Sequence, residues 1–251
     1  MSNVMHKILV AFLASLVPMG ALAAGGSSAN LDPIEIKLSD ERALQAGAGL
    51  FVNYCLSCHS AEYMRYNRLV SDLNLPEDLV KANMIFTDAK IGDPMTTTMT
   101  KDDGEVWFGV SPPDLTLIGR LRGPEWLYSY LRAFYVDDNT VSGWNNLVFP
   151  NVAMPHVMHG MQGIRKAVFK TEADASGNQQ PVFERYEEIS PGSMTEEEFD
   201  RAMSDLTHFL VYMGEPSKLV STKYGLAVLA FLGVFGFSAW LLKKEYWRDV
   251  H

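Results

Sequence analysis

Cysteine is nearly absent: two residues in a chain of 251. A disulfide-stapled secreted scaffold is thereby excluded. Basic residues are in deficit, with 21 Lys plus Arg against 30 Asp plus Glu and a net charge of −9. That balance argues against nucleic acid as a partner, because such proteins display a basic surface. Glycine (19) and proline (12) are at ordinary levels, so the chain is neither collagen-like nor low in complexity. No internal repeat and no glycine-rich phosphate loop is visible. What remains is enough apolar sequence, 47% of residues, for a substantial core.

Part of that apolar content is concentrated at the two ends. Near the start, Lys7 precedes a ten-residue apolar run from Ile8 to Val17, then Pro18, Gly20 and the small-residue pattern Ala21-Leu22-Ala23. This is the form of a secretory signal peptide, residues 1–23. Near the end, residues 224–242 carry no charge over 19 positions. As a helix they reach about 28 Å, close to the hydrocarbon thickness of a bilayer. Lys218 and Lys223 stand before this stretch, and Lys243, Lys244 and Arg248 after it. Tyr224, Trp240, Tyr246 and Trp247 occupy the interfacial positions. The expected order is therefore signal peptide 1–23, exported domain 24–220, membrane helix 221–242 and inner tail 243–251. In a Gram-negative bacterium this puts the domain in the periplasm, on a single-pass inner-membrane anchor with a cytoplasmic C-terminus. Residues 24–223 hold 17 basic and 28 acidic side chains, net −11.

Both cysteines lie in Cys55-Leu56-Ser57-Cys58-His59. CxxCH is the attachment motif of c-type haem. Two thiols three residues apart on a helical turn can each form a thioether to a haem vinyl group. The adjacent imidazole, His59, is then placed as the proximal iron ligand. A structural zinc site would require further ligands, and no second Cys pair exists. Upstream, Asp40 or Ser39 can cap a helix starting near Glu41, with Leu44, Gly47, Ala48, Phe51 and Cys55 along one face. Downstream, Thr195-Glu196-Glu197-Glu198 has capping-box form and opens a helix with an apolar stripe of Phe199, Met203, Leu206, Leu210 and Met213. Gly214 and Pro216 end it. The second helix is expected to pack against the first, which with Gly47 and Phe51 eight and four residues before Cys55 resembles the N-terminal helix of class I cytochromes c; that resemblance implies a close crossing at Gly47.

The sixth iron ligand is less determined. In Phe149-Pro150-Asn151-Val152-Ala153-Met154-Pro155-His156, prolines restrict the backbone around Met154. Methionine favours ferrous iron and raises the potential. Met154 leads on this ground, with His156, His159 and Met158 as rivals and His208 as a helix residue. A haem enzyme or gas sensor with an open sixth position is the alternative of a different class.

Three further segments now matter: Tyr66-Asn67-Arg68-Leu69-Val70, Ser111-Pro112-Pro113-Asp114-Leu115-Thr116 and Phe149–Pro155. With Asn53–Ser60 and the C-terminal anchor, the chain resembles the cytochrome c1 family, the haem subunits of ubiquinol–cytochrome c reductase (complex III), in its Gram-negative bacterial form. The resemblance covers nearly the whole length. It implies a mainly α, class I cytochrome c-like haem domain with loop and small β-hairpin insertions, plus one transmembrane helix. It implies one covalently attached haem c on Cys55, Cys58 and His59, with Met154 as the distal iron ligand. Pro112 and Pro113 would wall the haem, and Arg120 would meet a propionate. The implied partners are cytochrome b, the Rieske iron–sulfur protein as electron donor and a soluble cytochrome c as acceptor, within a dimeric complex. Catalysis then belongs to the complex, not to this chain alone. Two departures stand out: Met154 is followed directly by Pro155 and His156, and Val106–Val110 replaces the family's Asn-Asn-Gly-Ala. An anchored shuttle serving a terminal oxidase independently of complex III is the alternative. Elsewhere a helix Glu125–Phe134 and a hairpin pairing Ala167–Thr171 with Val182–Ile189 are expected, with residues 137–153 as a loop over the haem. The acidic stretches read as solvated surface or as a steering field for a basic carrier.

Overall fold

A computed structural model describes residues 31–173 and 178–249. The expected signal peptide lies outside the described residues. Helix α1, Glu41–Leu50, begins where Asp40 accepts a hydrogen bond from the Ala43 N–H at 3.0 Å. The sequence suggests one helix through residue 58. Instead, Phe51–Cys55 winds as a wider π-helical turn, closed by Leu56 N–H donating to the Phe51 carbonyl at 3.0 Å. Such a turn inside a helix is rare and frequently marks a functional site. Here it delivers the CxxCH segment.

The other principal helix, α8, spans Glu196–Gly214, and its Thr195–Glu198 capping box is fully formed. Between α1 and α8 run β1 (Ala61–Arg65), α2 (Asn67–Leu73), α3 (Glu77–Asn83), β2 (Pro94–Met95), α4 (Lys101–Phe108), α5 (Ile118–Arg122) and α6 (Pro124–Arg132). There follow β3 (Phe134–Val136), β4 (Trp144–Asn146), α7 (His159–Gln162), β5 (Gly163–Ala173) and β6 (Gln179–Pro191). The strands form three separate antiparallel pairs, β1–β2, β3–β4 and β5–β6. The fold is therefore mainly α with small β-hairpins.

Helix α8 is the hub, with α1, α5 and α6 packed on it. A β-carbon on Gly47 would stand 2.1 Å from the Asp205 carbonyl oxygen, so the α1 and α8 backbones touch. Phe51 meets Phe209 with ring centroids 5.6 Å apart, and Leu44, Ala48, Leu206 and Leu210 fill the contact. Gly119 plays the same part for α5, where a β-carbon would lie 2.8 Å from the Val211 Cα. The Tyr212 hydroxyl donates to Asp72 at 2.7 Å, which ties α2 to the hub beside the Arg68–Asp72 pair.

Helix α6 ends at Arg132, two residues short of the expected Phe134, which instead starts β3. The β5–β6 hairpin is longer than expected, running from Gly163↔Pro191 to Ala173↔Gln179 with two bulges. Helix α9, Lys218–Tyr246, is longer than its uncharged stretch. Its apolar part, Tyr224–Tyr246, is long and apolar enough to cross a membrane, and none of it is buried against protein.

Candidate haem site

The CxxCH turn is stapled in place. Cys58 N–H and His59 N–H both donate to the Cys55 carbonyl, at 3.0 and 2.8 Å. Thr97 Oγ1 donates to the Ser57 carbonyl at 2.6 Å, and the Thr97 N–H to Ser60 Oγ at 3.0 Å. A second staple brings in the Pro-Pro-Asp-Leu segment. The Asp114 carboxylate accepts from the Glu62 and Thr116 N–H groups, each at 2.8 Å. The Leu115 N–H donates to the Ser60 carbonyl at 2.8 Å.

These contacts aim the Pro113 carbonyl at His59 Nδ1, 2.7 Å away. A carbonyl only accepts, so Nδ1 carries the proton and Nε2 keeps a free lone pair. Burial lowers the His59 pKa, against the opposing pull of the Pro113 carbonyl and Asp114. The ring is therefore in the neutral, ligating form at neutral pH. Burial also pushes the Cys55 thiol up to about 12, with Cys58 adding to the rise. A dithiol built for disulfide exchange has a depressed pKa at a helix N-terminus. Here Cys55 ends a helix, and its thiol is shifted the other way.

Cys55, Cys58, His59, Pro112, Pro113 and Met154 all line one cavity of about 320 Å³. The remainder of the wall is mostly apolar, with Leu115, Ile118, Leu127, Leu131, Val157 and Leu210 among its residues. Met154 arrives on the loop after β4, which two asparagines brace. Asn146 Oδ1 accepts from the Val148 and Phe149 N–H groups at 2.9 and 3.1 Å. Asn145 Oδ1 accepts from the Asn151 N–H at 2.8 Å. Of the rivals, Met158 is buried away from the cavity. His156 is also buried and stacked on Phe134, and burial pushes its pKa down to about 3. His159 stacks on Trp144, and neither histidine lines the cavity. His208 bonds the Ser204 carbonyl within α8.

Arg120 is not brought to the cavity. It is exposed, and its Cγ lies 3.2 Å from where a β-carbon on Gly214 would stand. The guanidinium on the wall is that of Arg122, 4.9 Å above the Trp126 ring. On a helix, residues two apart face apart. Counting six residues from Asp114 selects Arg120, and Arg122, two positions further on, is the one that lines the cavity.

A model described as the cytochrome C1 family matches residues 35–250. The chain belongs to the cytochrome c1 family. The cytochrome c1 of Allochromatium vinosum is 45% identical over 247 residues, covering 98% of this chain and 100% of its own. A Nitrosomonas europaea protein named ammonia monooxygenase gamma subunit is also 45% identical, over 248 residues, 98% of this chain and 100% of its own. Its name differs, but it is as similar to this chain, over as much of its length, as the first. The cytochrome c1 of Rhodospirillum rubrum is 24% identical over 236 residues, covering 84% of this chain and 83% of its own. As a cytochrome c1, the chain takes a c-type haem and serves electron transfer in complex III. The residues around the cavity fit that group: two thiols, an oriented imidazole, a thioether and an apolar wall.

Proposed function

We propose that this cytochrome c1 carries one haem c, joined by thioethers to Cys55 and Cys58 and ligated by His59 and Met154. It accepts one electron from the Rieske iron–sulfur protein and passes it to a soluble cytochrome c. The observation that carries this reading is that both thiols, the oriented His59 and Met154 line one cavity, although 95 residues separate His59 from Met154.

The haem, when bound, supplies a reversible one-electron iron couple. The chain supplies the rest. Pro113 fixes the His59 tautomer, and Asp114 holds Pro113. The apolar wall excludes water, and thioether ligation favours the reduced state. Arg122, held over Trp126, is the charge partner for a haem propionate. Pro112 and Pro113 wall the haem edge. Residues 1–23 are a signal peptide, 24–220 a periplasmic domain, 221–242 the membrane helix and 243–251 a cytoplasmic tail.

Purification from native membranes in mild detergent tests the assignment. A dithionite-reduced c-type spectrum should co-elute with a two-haem cytochrome b and a Rieske protein, in a dimeric assembly. Elution of the haem protein without either would instead support a shuttle acting outside complex III.

A further inference from the structure

The Tyr130 hydroxyl donates to the Met154 sulfur at 3.2 Å. Nothing about this hydroxyl is incidental. The ring lies on the cavity wall, stacked on Trp126 with centroids 4.8 Å apart and planes 10° from parallel. Phe134 meets it edge-on at 5.2 Å. Both neighbours come from the same helical run or its immediate end, so the ring position is set by α6 and not by Met154. The backbone is tied as well. Asn146 Nδ2 donates to the Tyr130 carbonyl at 2.8 Å, while Asn146 Oδ1 holds the loop that carries Met154. Asn146 is fully buried, so one rigid amide links the tyrosine to the methionine loop.

We propose that Tyr130 is a positioning residue for the Met154 thioether, and that it thereby sets the reduction potential of the bound haem. This rests on Met154 being the iron ligand. A thioether sulfur has two lone pairs. Donation from Tyr130 occupies one, which leaves the other, and so one orientation of the terminal methyl, for the metal. The hydrogen bond also withdraws electron density from sulfur. Ferric iron depends on that density more than ferrous iron, so the bond favours the reduced state. The shift should be a few-fold in the ferric-to-ferrous ratio, the scale of one neutral hydrogen bond.

The test is a redox titration of the purified complex with Tyr130→Phe, which keeps the stacked ring and removes only the hydroxyl. The potential should fall by a shift worth a few-fold in that ratio, and the sulfur-to-iron absorption band should move, with the low-spin spectrum retained. Tyr135→Phe, which removes the hydroxyl of a buried tyrosine that does not line the cavity, should leave the potential near wild type. In wild-type protein the same band should shift between H2O and D2O, a readout that needs no variant to fold. An unchanged potential in Tyr130→Phe, an equal shift in Tyr135→Phe, or a band indifferent to deuterium overturns the proposal. Met154→Leu separates the two claims: a persisting low-spin spectrum there refutes the ligand assignment itself, and its loss leaves the Tyr130 outcomes to be judged alone.

Discussion

Cys55 and Cys58 share a motif but not an environment: the first is buried and the second half-buried. On the proposed attachment each thiol would hold the haem alone, because one thioether survives denaturation whereas histidine and methionine ligation do not. Either single Cys→Ala variant should therefore still stain for haem on a denaturing gel, and the double variant should not. Asp137 acts at the same scale from outside the cavity. Its carboxyl lies below the ordinary aspartate value because the Asn145 side chain donates to it at 2.8 Å and the Asn139 N–H at 3.0 Å. A depressed folded pKa contributes stability above the unfolded value that is lost as pH falls through the folded one. The loop from 137 to 146 should thus lose amide protection as pH drops below about 4, near the ordinary aspartate value. In Asp137→Asn, hydrogen exchange at Asn139 should show no such acid step. The chemistry of CxxCH was legible in sequence because its ligands are adjacent. The roles of Asp114, Asn145 and Asn146 were not, because their partners are backbone N–H groups whose positions only folding fixes.

At the scale of elements, the crossing of α1 over α8 is the contact least able to adapt. Gly47→Ala would drive a methyl into the Asp205 carbonyl and its backbone carbon, 2.1 and 2.8 Å away. Backbone cannot rotate aside as a side chain can. The expected loss is about 2–3 kcal/mol, at the upper end of the overpacking range. For a domain of this size it should appear as a thermal midpoint lower by roughly 5–10 °C. Helix starts were well marked, since Asp40 and Thr195 are local caps whose partners lie three residues on. The π-helical turn at Phe51–Cys55 and the early end of α6 were not marked. In the first case the apolar spacing is the same as in a continuing helix. In the second, pairing of Phe134 with Asn146 competes with one more helical turn.

For the whole molecule, the separation between haem domain and anchor is the largest feature. The apolar part of α9 is exposed throughout, so it gives the domain no core. A chain ending at residue 220 should leave the membrane fraction, with its reduced spectrum unchanged. The net −11 on residues 24–223 should make reduction of a basic carrier cytochrome, the proposed acceptor, slow as salt rises. The sequence alone determined the covalent haem motif, the helix caps, the apolar span and the acid balance, all of which depend on residues close in the chain. Tertiary structure decided which arginine reaches the cavity, which of four candidate ligands lines it, and what braces that ligand. Those are questions of facing and distance between segments some 95 residues apart, and only the packing of α1, α6 and the methionine loop around α8 answers them.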